Sequence, residues 1–296
     1  ANAAFLPPVN AGEAMDGEAV CECCASTPFS HEGRNYDVVR NNNNNIRDFW
    51  LMRTDESGEW SEALDIDPTD WNINSCPASE AETCILGDGS LMAVFMSAGE
   101  GGSRVYWSTA DLEGWALTGS DRIEPGTNHV ENNPTVDADQ DHSVVAWEKN
   151  QGGYDVVVAT GSNSSSAPSE WLASSNAVTE DLSGHSRRPV VRVNGNTVHL
   201  VYQRPSEGTA HYLQGTIVAG TNTVLQMETA PLEIVPTSEG WWVSEANGFT
   251  WNVHDLGGRL VASGLSPDGH IPFSGKGIYI VSVAHNNLVR KVKLAR

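Results

Sequence analysis

The sequence predicts an all-β protein built from repeated four-stranded units, and three observations lead to this fold class. Short apolar strands are separated by turn residues roughly every 8 to 12 positions, which is typical of all-β folds. The 296 residues include 28 glycines and 14 prolines. Apolar residues at helical spacing are nearly absent, so few helices are expected.

The strands recur as a repeat. Its anchors are the ends of four apolar strands, 56, 52 and 55 residues apart, at Val39, Phe95, Trp147 and Tyr202. A bulky residue follows each anchor after 20 to 24 positions, at Trp60, Trp115, Trp171 or Leu225. Four-stranded units that cannot bury both faces alone are the blades of a β-propeller. Four blades are expected, over 21–70, 71–125, 126–180 and 181–236. Whether a degenerate fifth blade exists is left open.

Two segments lie outside the repeat. Residues 1–20 lack periodicity and are predicted to be an extended lead-in that closes the last sheet. Residues 237–296 have the pattern of a separate small β-sandwich, with Gly257 and Gly258 as a hairpin turn. The charge changes at this boundary, because 1–236 hold 11 basic and 34 acidic residues whereas 237–296 hold six basic and four acidic ones.

Charge and hydropathy exclude two classes of partner. Acidic residues dominate the predicted propeller, which argues against nucleic-acid binding because counterion release requires clustered lysine and arginine. No apolar run reaches the roughly 18 residues of a membrane helix. The sequence begins with Ala1, as mature exported proteins do, so we expect a secreted or cell-surface protein.

One turn resembles a known repeat motif. The apolar strand that begins at Ile46 ends in the turn Thr54-Asp55-Glu56-Ser57-Gly58-Glu59-Trp60. This turn resembles the Asp-box of sialidases and of other propellers with BNR repeats. The resemblance implies that the aspartate accepts backbone amides in a hairpin and that the tryptophan packs between sheets.

The predicted first blade is more closely similar to bacterial secreted proteins described as sialidase-like or BNR-repeat proteins. Their Cys-x-Cys-Cys, Arg-Asn-Asn, Arg-Asp, Asp-box and Trp-x-Ile-x-x-Cys-Pro features are present here at 21–24, 40–42, 47–48, 54–60 and 71–77. The match is close over residues 21–80 and loose up to 236. It implies a sialidase-like propeller without defining a reaction.

The C-terminal segment resembles the sorting domain of type IX secretion. The matching stretches are 253–261, 276–281 and the basic end at 291–293. This resemblance implies export to the surface or medium, with the tail bound by the secretion machinery.

A sialidase needs three arginines around the substrate carboxylate, because bidentate guanidinium contacts fix a carboxylate in register. It also needs a tyrosine–glutamate pair and an aspartate. Candidate arginines are present at positions 40, 47, 104, 188, 192 and 204. Tyr202 and Glu148 lie at equivalent strand ends, but Tyr202 is simpler to interpret as a core residue. The Arg-Ile-Pro signature of sialidases is missing, so this activity is kept as an alternative.

Arg40, Arg47 and Asp48 flank a five-asparagine loop at a strand end. Loops at one end of a propeller commonly form its binding face. Two interpretations stay open. The residues form an ion pair that closes the loop, or they line a polar pocket for a sugar or peptide.

Cys21, Cys23, Cys24 and Cys76 also have two interpretations. Disulfides are the default in an exported protein, and they would tie the start of the first blade to the beginning of the second. Thiolates would instead hold a soft metal such as copper or zinc. Cys84 lies outside the family pattern and makes the number of cysteines odd.

A weak calcium candidate consists of Asp137, Asp139 and Asp141, which occupy positions 1, 3 and 5 of a calcium-loop pattern with Glu148 at position 12. Position 6 is His142 where the motif requires glycine, and no flanking helices are predicted. An acidic β-turn is the favoured interpretation, and no cofactor is required.

Together these features predict a secreted sialidase-like propeller that binds glycans or a surface protein. One alternative is an exo-acting glycoside hydrolase, which needs a carboxylate pair or a Tyr/Glu pair beside several arginines. The other is a surface or filament subunit that assembles through its C-terminal sandwich.

Overall fold

The computed structural model describes residues 9–15, 19–162, 168–179, 184–218, 224–227, 234–243, 248–255, 259–285 and 288–295. The chain divides into two compact units. One comprises the chain up to 211 together with 215–226, and the other comprises 212–214 together with the chain from 227 onward. Among the residues described, no helix is long and apolar enough to cross a membrane.

Four consecutive antiparallel sheets occupy the chain from residue 19 to 227. The first consists of β1 (Ala19–Val20), β2 (Thr27–His31), β3 (Arg34–Asn42), β4 (Phe49–Thr54) and β5 (Trp60–Asp65). The second consists of β6 (Glu82–Ile85), β7 (Leu91–Ser97), β8 (Arg104–Asp111) and β9 (Ala116–Arg122). The third consists of β10 (Val130–Ala138), β11 (His142–Asn150), β12 (Tyr154–Ser162) and β13 (Asn176–Ala177). The fourth consists of β14 (Arg187–Asn194), β15 (Thr197–Arg204), β16 (Thr209–Val218) and β17 (Val224–Met227). The predicted all-β propeller with four blade repeats is confirmed.

Apolar cores lie between neighbouring sheets. Phe49 of the first sheet packs against Phe95 of the second, with 5.2 Å between ring centroids. Trp147 of the third sheet belongs to a separate core with Val94 and Val105 of the second sheet. The first three blades therefore bury apolar faces against one another.

Burial differs between blades in a way that the strand sequences explain. Every residue of β7 is buried, because its sequence LMAVFMS is apolar on both faces. In β14 only alternate residues are buried, and Val190 between them is 51% exposed. Val201 of β15 is also exposed. The paired strands β14 and β15 therefore expose apolar side chains on one face.

The described residues of the lead-in, 9–15 and 19–20, are not extended throughout and contact the first sheet, not the last. Ala11–Met15 form a 3-10 helix, and Met15 packs against Val39 and Met52 of the first sheet. Ala19–Val20 then pairs with the end of β3. The lead-in joins the first blade because its apolar residues cover the outer face of that blade. A short α-helix, α1 (Pro168–Leu172), follows the third strand of the third blade.

The second unit is a small sandwich of two sheets, as predicted. One sheet contains β18 (Ile234–Pro236), β19 (Gly240–Val243) and β22 (His270–Pro272). The other contains β20 (Phe249–His254), β21 (Leu260–Ser266), β23 (Ile278–His285) and β24 (Leu288–Ala295). Both sheets contribute to one core that includes Trp241 and Trp251. β18, which the sequence placed in the propeller, pairs with β19, and the predicted Gly257–Gly258 turn lies outside the described residues.

Each blade has two ends. The loop end carries the β3–β4, β7–β8, β11–β12 and β15–β16 connections, at 43–48, 98–103, 151–153 and 205–208. The turn end carries the β2–β3, β6–β7, β10–β11 and β14–β15 connections, at 32–33, 86–90, 139–141 and 195–196.

Candidate functional site

Arg40, Arg47 and Asp48 lie together at the loop end, and all three are buried, with exposed fractions of 0%, 7% and 2%. Arg40 donates from Nη1 to the carbonyl oxygen of Arg47 at 2.5 Å and from Nη2 to that of Met96 at 2.7 Å. Its guanidinium lies 3.9 Å from the ring centroid of Phe49. Arg40 therefore joins the first two sheets from the inside.

The other two residues also bond within the protein. The Asp48 Oδ1 accepts the amide of Trp71 at 3.0 Å, and the Arg47 Nη1 donates to the Cys21 Sγ at 2.9 Å. The structure brings the three residues together and buries them. A polar pocket at this place stays a prediction.

A buried carboxyl that the sequence analysis missed lies beside this group. Asp67 follows β5 and is 0% exposed. Its Oδ1 accepts the Thr69 hydroxyl at 2.7 Å, whereas its Oδ2 has no hydrogen-bond partner among the described residues. Burial raises the pKa of Asp67 to about 7, and the nearby Asp48 carboxylate adds to the rise. The hydrogen bonds from Thr69 and the charge of Arg40 act in the opposite direction but are outweighed. Asp67 therefore titrates near neutral pH.

A second carboxyl of this kind lies between the second and third sheets. Glu131 is 0% exposed, and its Oε2 accepts the Val105 amide at 3.0 Å. Burial raises the pKa of Glu131 to about 7 against that hydrogen bond, and the Glu124 carboxylate adds to the rise. Asp67 and Glu131 are called the acid pair below because both are buried and both have a raised pKa, not because they are in contact.

Tyr106 also lies in this region. Its hydroxyl is buried and has no hydrogen-bond partner within the described part of the chain. Burial raises the pKa of Tyr106 to about 12, and the charges of Glu100 and Asp67 add to the rise while Arg122 opposes it. The loop end of the first two blades is thus rich in buried ionisable groups.

Glu148 is held in a structural ion pair. It is 0% exposed, and its Oε2 accepts Nε and Nη2 of Arg187 at 3.1 and 3.0 Å. Its Oε1 accepts the Nδ2 of Asn133 at 2.7 Å. Tyr202, which the sequence paired with Glu148 for a sialidase site, is 1% exposed and stacks on His211. These contacts fit the core interpretation of Tyr202.

The clustered cysteines contain one disulfide and two thiols. Cys23 and Cys76 are bonded, with Cα atoms 6.2 Å apart. Cys21 and Cys24 are free, and the Cys21 Sγ lies 3.3 Å from the Cys23 Sγ and 3.5 Å from the Cys24 Sγ. Of the described His, Cys, Asp and Glu side chains, only Cys21, Cys23 and Cys24 form a group of three with ligand atoms within 4.8 Å of one another. Copper or zinc binding there stays a prediction.

The three free thiols differ in their electrostatics. Burial raises the pKa of the Cys21 thiol, but the Cys23 amide, Cys24 and Arg47 outweigh this effect and hold it below the ordinary value. Burial raises the pKa of Cys24 and raises that of the Cys84 thiol much further. Cys21 is therefore the thiol that ionises most readily.

The aspartates of the predicted acidic turn bind backbone amides. Asp139 accepts the amide of Asp141 at 3.0 Å through Oδ1 and that of Gly195 at 2.6 Å through Oδ2. The Asp137 Oδ2 accepts the Val193 amide at 2.8 Å. These bonds join the third and fourth sheets, and weak calcium binding stays a prediction.

The turn end of the first three blades contains a cavity of about 1130 Å³. Residues of the 32–33 and 86–90 connections line it, together with Asp111–Glu113 and the helix α1. Its polar groups include His31, Arg34 and Asp88, and its apolar wall includes Tyr36 and Trp171. The sequence analysis did not find this cavity, because its lining comes from three blades.

Two of the turns beside the cavity have the same side-chain chemistry. The Asp55 Oδ1 accepts the amides of Ser57 and Glu59 at 2.8 and 3.0 Å. The Asp111 Oδ1 accepts the amides of Glu113 and Gly114, both at 3.0 Å. These aspartates hold the hairpins that form part of the turn end.

No family model and no curated protein matches this chain. Among solved structures, an endo-arabinase from Bacteroides thetaiotaomicron VPI-5482 is 14% identical, with a TM-score of 0.43, over 68% of this chain and 76% of its own. A thermostable family-43 glycoside hydrolase is 13% identical, with a TM-score of 0.42, over 72% and 76%. Zg3597, a family 117 glycoside hydrolase from Zobellia galactanivorans, is 12% identical, with a TM-score of 0.39, over 77% of each chain. Similarities this distant do not extend those activities to this chain.

Proposed function

We propose that this chain is a secreted glycan-binding propeller and that the cavity at its turn end holds the glycan. The observation that carries the proposal is the size and lining of that cavity. At about 1130 Å³ it exceeds the roughly 300–1,000 Å³ of ordinary small-molecule sites. An extended, hydroxyl-rich ligand suits such a volume better than a small metabolite.

The lining has the chemistry that sugar hydroxyls require. Arg34 only donates hydrogen bonds, Asp88 accepts them, and His31 can do either. Together they match sugar hydroxyl groups, which both donate and accept hydrogen bonds. The Arg34 side chain is 32% exposed, and its ion pair with Glu56 at 3.8 Å is an exposed one, which costs little to open. The wall at Tyr36 is rigid because its ring stacks on Phe29 with centroids 4.9 Å apart.

Binding is tested by calorimetric titration of the full chain with a panel of neutral and sialylated oligosaccharides. Arg34→Ala and Asp88→Ala should each weaken binding by about tenfold or more, since each removes a charged hydrogen-bond partner. Arg192→Ala is the matched control, because Arg192 lies on the solvent-facing side of β14. Binding that survives both cavity substitutions, or no binding by any oligosaccharide, contradicts the proposal.

A second candidate function is glycoside hydrolysis, and the acid pair favours it. A general acid works best when its pKa lies near the working pH, and burial raises the pKa of both Asp67 and Glu131 to about 7. Both carboxyls are 0% exposed, so this function also requires the loop end to open to the substrate. Hydrolysis of aryl glycosides should then fall by about 10²- to 10⁴-fold in Asp67→Asn or Glu131→Gln. Arg34→Ala at the opposite end should keep its rate. Equal rates in all four proteins would exclude the acid pair as the catalyst.

The route of export rests on the resemblance of the C-terminal segment to a sorting domain. β20 and β21, which contain the two ends of the first matching stretch, are paired antiparallel strands within the sandwich. Assembly through this sandwich stays a prediction.

A further inference from the structure

Four sulfur atoms lie together at the loop end of the first blade, in two chemical states. Cys23 and Cys76 form a disulfide between two exposed residues, whereas Cys21 is a thiol that is 1% exposed and Cys24 is a half-buried thiol. The Cys21 Sγ lies 3.3 Å from the Cys23 Sγ. Reacting atoms that are held ready for attack lie roughly 3–3.5 Å apart.

We propose that this cluster is a thiol–disulfide exchange site. Cys21 is the internal nucleophile for the Cys23–Cys76 disulfide, and Cys76 is the sulfur that reacts with external disulfides. The substrate class is an accessible disulfide of a peptide or of a small thiol compound. This activity is independent of glycan binding, which is proposed for the opposite end of the blades.

Arg47 positions and activates Cys21. Its Nη1 donates to the Cys21 Sγ at 2.9 Å, and the Cys21 amide donates to the Arg40 carbonyl oxygen at 2.7 Å. A guanidinium beside a sulfur favours the thiolate, which is the nucleophilic form. Because Cys21 and Arg47 are both buried, solvent ions screen this contact little.

The internal step conserves atoms and electrons. The Cys21 thiolate, after releasing its proton to solvent, forms a bond to the Cys23 Sγ. The Cys23–Cys76 bond breaks, and Cys76 leaves as a thiolate. The Cys24 Sγ, 3.5 Å from the Cys21 Sγ, can then attack Cys21, form a Cys21–Cys24 disulfide and release Cys23 as a thiolate. One disulfide is present throughout, so no oxidant is needed.

The external step uses the sulfur that the internal step releases. Cys76 lies at an exposed position, where a substrate can reach it. Its thiolate attacks one sulfur of the external disulfide, forms a mixed disulfide and releases the other sulfur as a thiolate. Attack by the buried Cys21 thiol thus produces a reactive thiolate, Cys76, at the protein surface.

Trypsin separates the cysteines in a way that makes the exchange measurable. Cys21, Cys23 and Cys24 fall in the peptide 1–34, and Cys76 and Cys84 fall in the peptide 54–104. The disulfide joins these peptides before exchange, and they separate afterwards. The native full chain is incubated with N-ethylmaleimide at about pH 8, where thiolates are abundant, then acid-quenched, digested without reduction and analysed by mass spectrometry.

Wild-type protein should accumulate the separated peptides, with Cys76 alkylated. Cys21→Ser should slow their appearance by about tenfold or more because it removes the nucleophile. Cys84→Ser is the matched control, because it removes a free thiol outside the cluster, and it should keep the wild-type rate of Cys76 release. Peptides that stay joined in the wild type, or a Cys21→Ser protein as fast as the wild type, would overturn the proposal.

A second variant guards against misfolding of Cys21→Ser. Arg47→Gln keeps all five cysteines and should move the pH profile of alkylation to higher pH, while Arg47→Lys should move it back. An unchanged profile would overturn the role of Arg47. Oxidised glutathione should form an adduct on Cys76 in the wild type and none there in Cys21→Ser. An adduct confined to the peptide 1–34 would contradict Cys76 as the external sulfur.

Discussion

Replacing Arg40 with methionine should lower the free energy of unfolding by about 3–5 kcal/mol, the usual cost of removing one partner from a buried charge network. The substitution leaves the carbonyl oxygens of Arg47 and Met96 without their donors. It also removes the cation beside Asp67 and Asp48. Urea denaturation of the full chain, followed by circular dichroism, measures the change.

Arg34→Met is the matched control, because it makes the same chemical change at a partly exposed arginine, and its effect should stay within about 0.5 kcal/mol. A double variant Arg40→Met/Asp67→Asn should lose less stability than the sum of the two single variants, because the second change removes a carboxyl that interacts electrostatically with Arg40. If Arg40→Met is as stable as Arg34→Met, Arg40 contributes packing volume and not charge.

The acid pair should make the protein less stable as pH rises from about 4 to about 7. An unfolded aspartate loses its proton near pH 3.8, whereas the pKa of folded Asp67 is about 7. Between these two pH values the folded state therefore keeps a proton that the unfolded state has released. The difference in pKa adds to the free energy of unfolding. This contribution is fully present below pH 4 and is lost as pH rises through 7. Its size is on the order of 4 kcal/mol at most.

Asp67→Asn removes this titration and keeps an acceptor for Thr69. Wild type should lose stability from pH 5 to pH 8, whereas the variant should not. The urea midpoint of the variant minus that of wild type should therefore be larger at pH 8 than at pH 5. Glu131→Gln should act in the same direction, because the pKa of Glu131 is also about 7. An Asp67→Asn protein that is less stable than wild type at pH 8 would contradict this prediction. It would show that the attraction between Arg40 and the Asp67 carboxylate outweighs the cost of burying that charge.

The four blades were predictable because their signals are local. Strand alternation, glycine turns and a bulky residue after each anchor all lie within one repeat, and the strands of each blade other than β1 pair with their neighbours in sequence. The lead-in was not predictable in this way. Its 3-10 helix lies against the first sheet because Met15 meets Val39 and Met52, which no local pattern encodes.

The candidate sites were predictable only in part. The sequence grouped Arg40, Arg47 and Asp48 because they flank one loop, but it could not show that all three are buried. Asp67 and Glu131 went unnoticed because burial raises their pKa values, and burial depends on contacts between blades. The one local signal at Asp67 is its turn with Thr69, and such turns are common without any site.

The connectivity of the sheets also bears on the order in which the chain folds. Apart from β1, which pairs with β3, the strands of every blade form a meander of neighbours in sequence, so each blade closes only short loops and can form as soon as its own strands are available. The first blade ends at Asp65, whereas Cys76, the partner of Cys23, lies beyond it. During synthesis the blade is therefore free to assemble before its cross-link exists, and the disulfide then fixes a structure that pairing alone has produced.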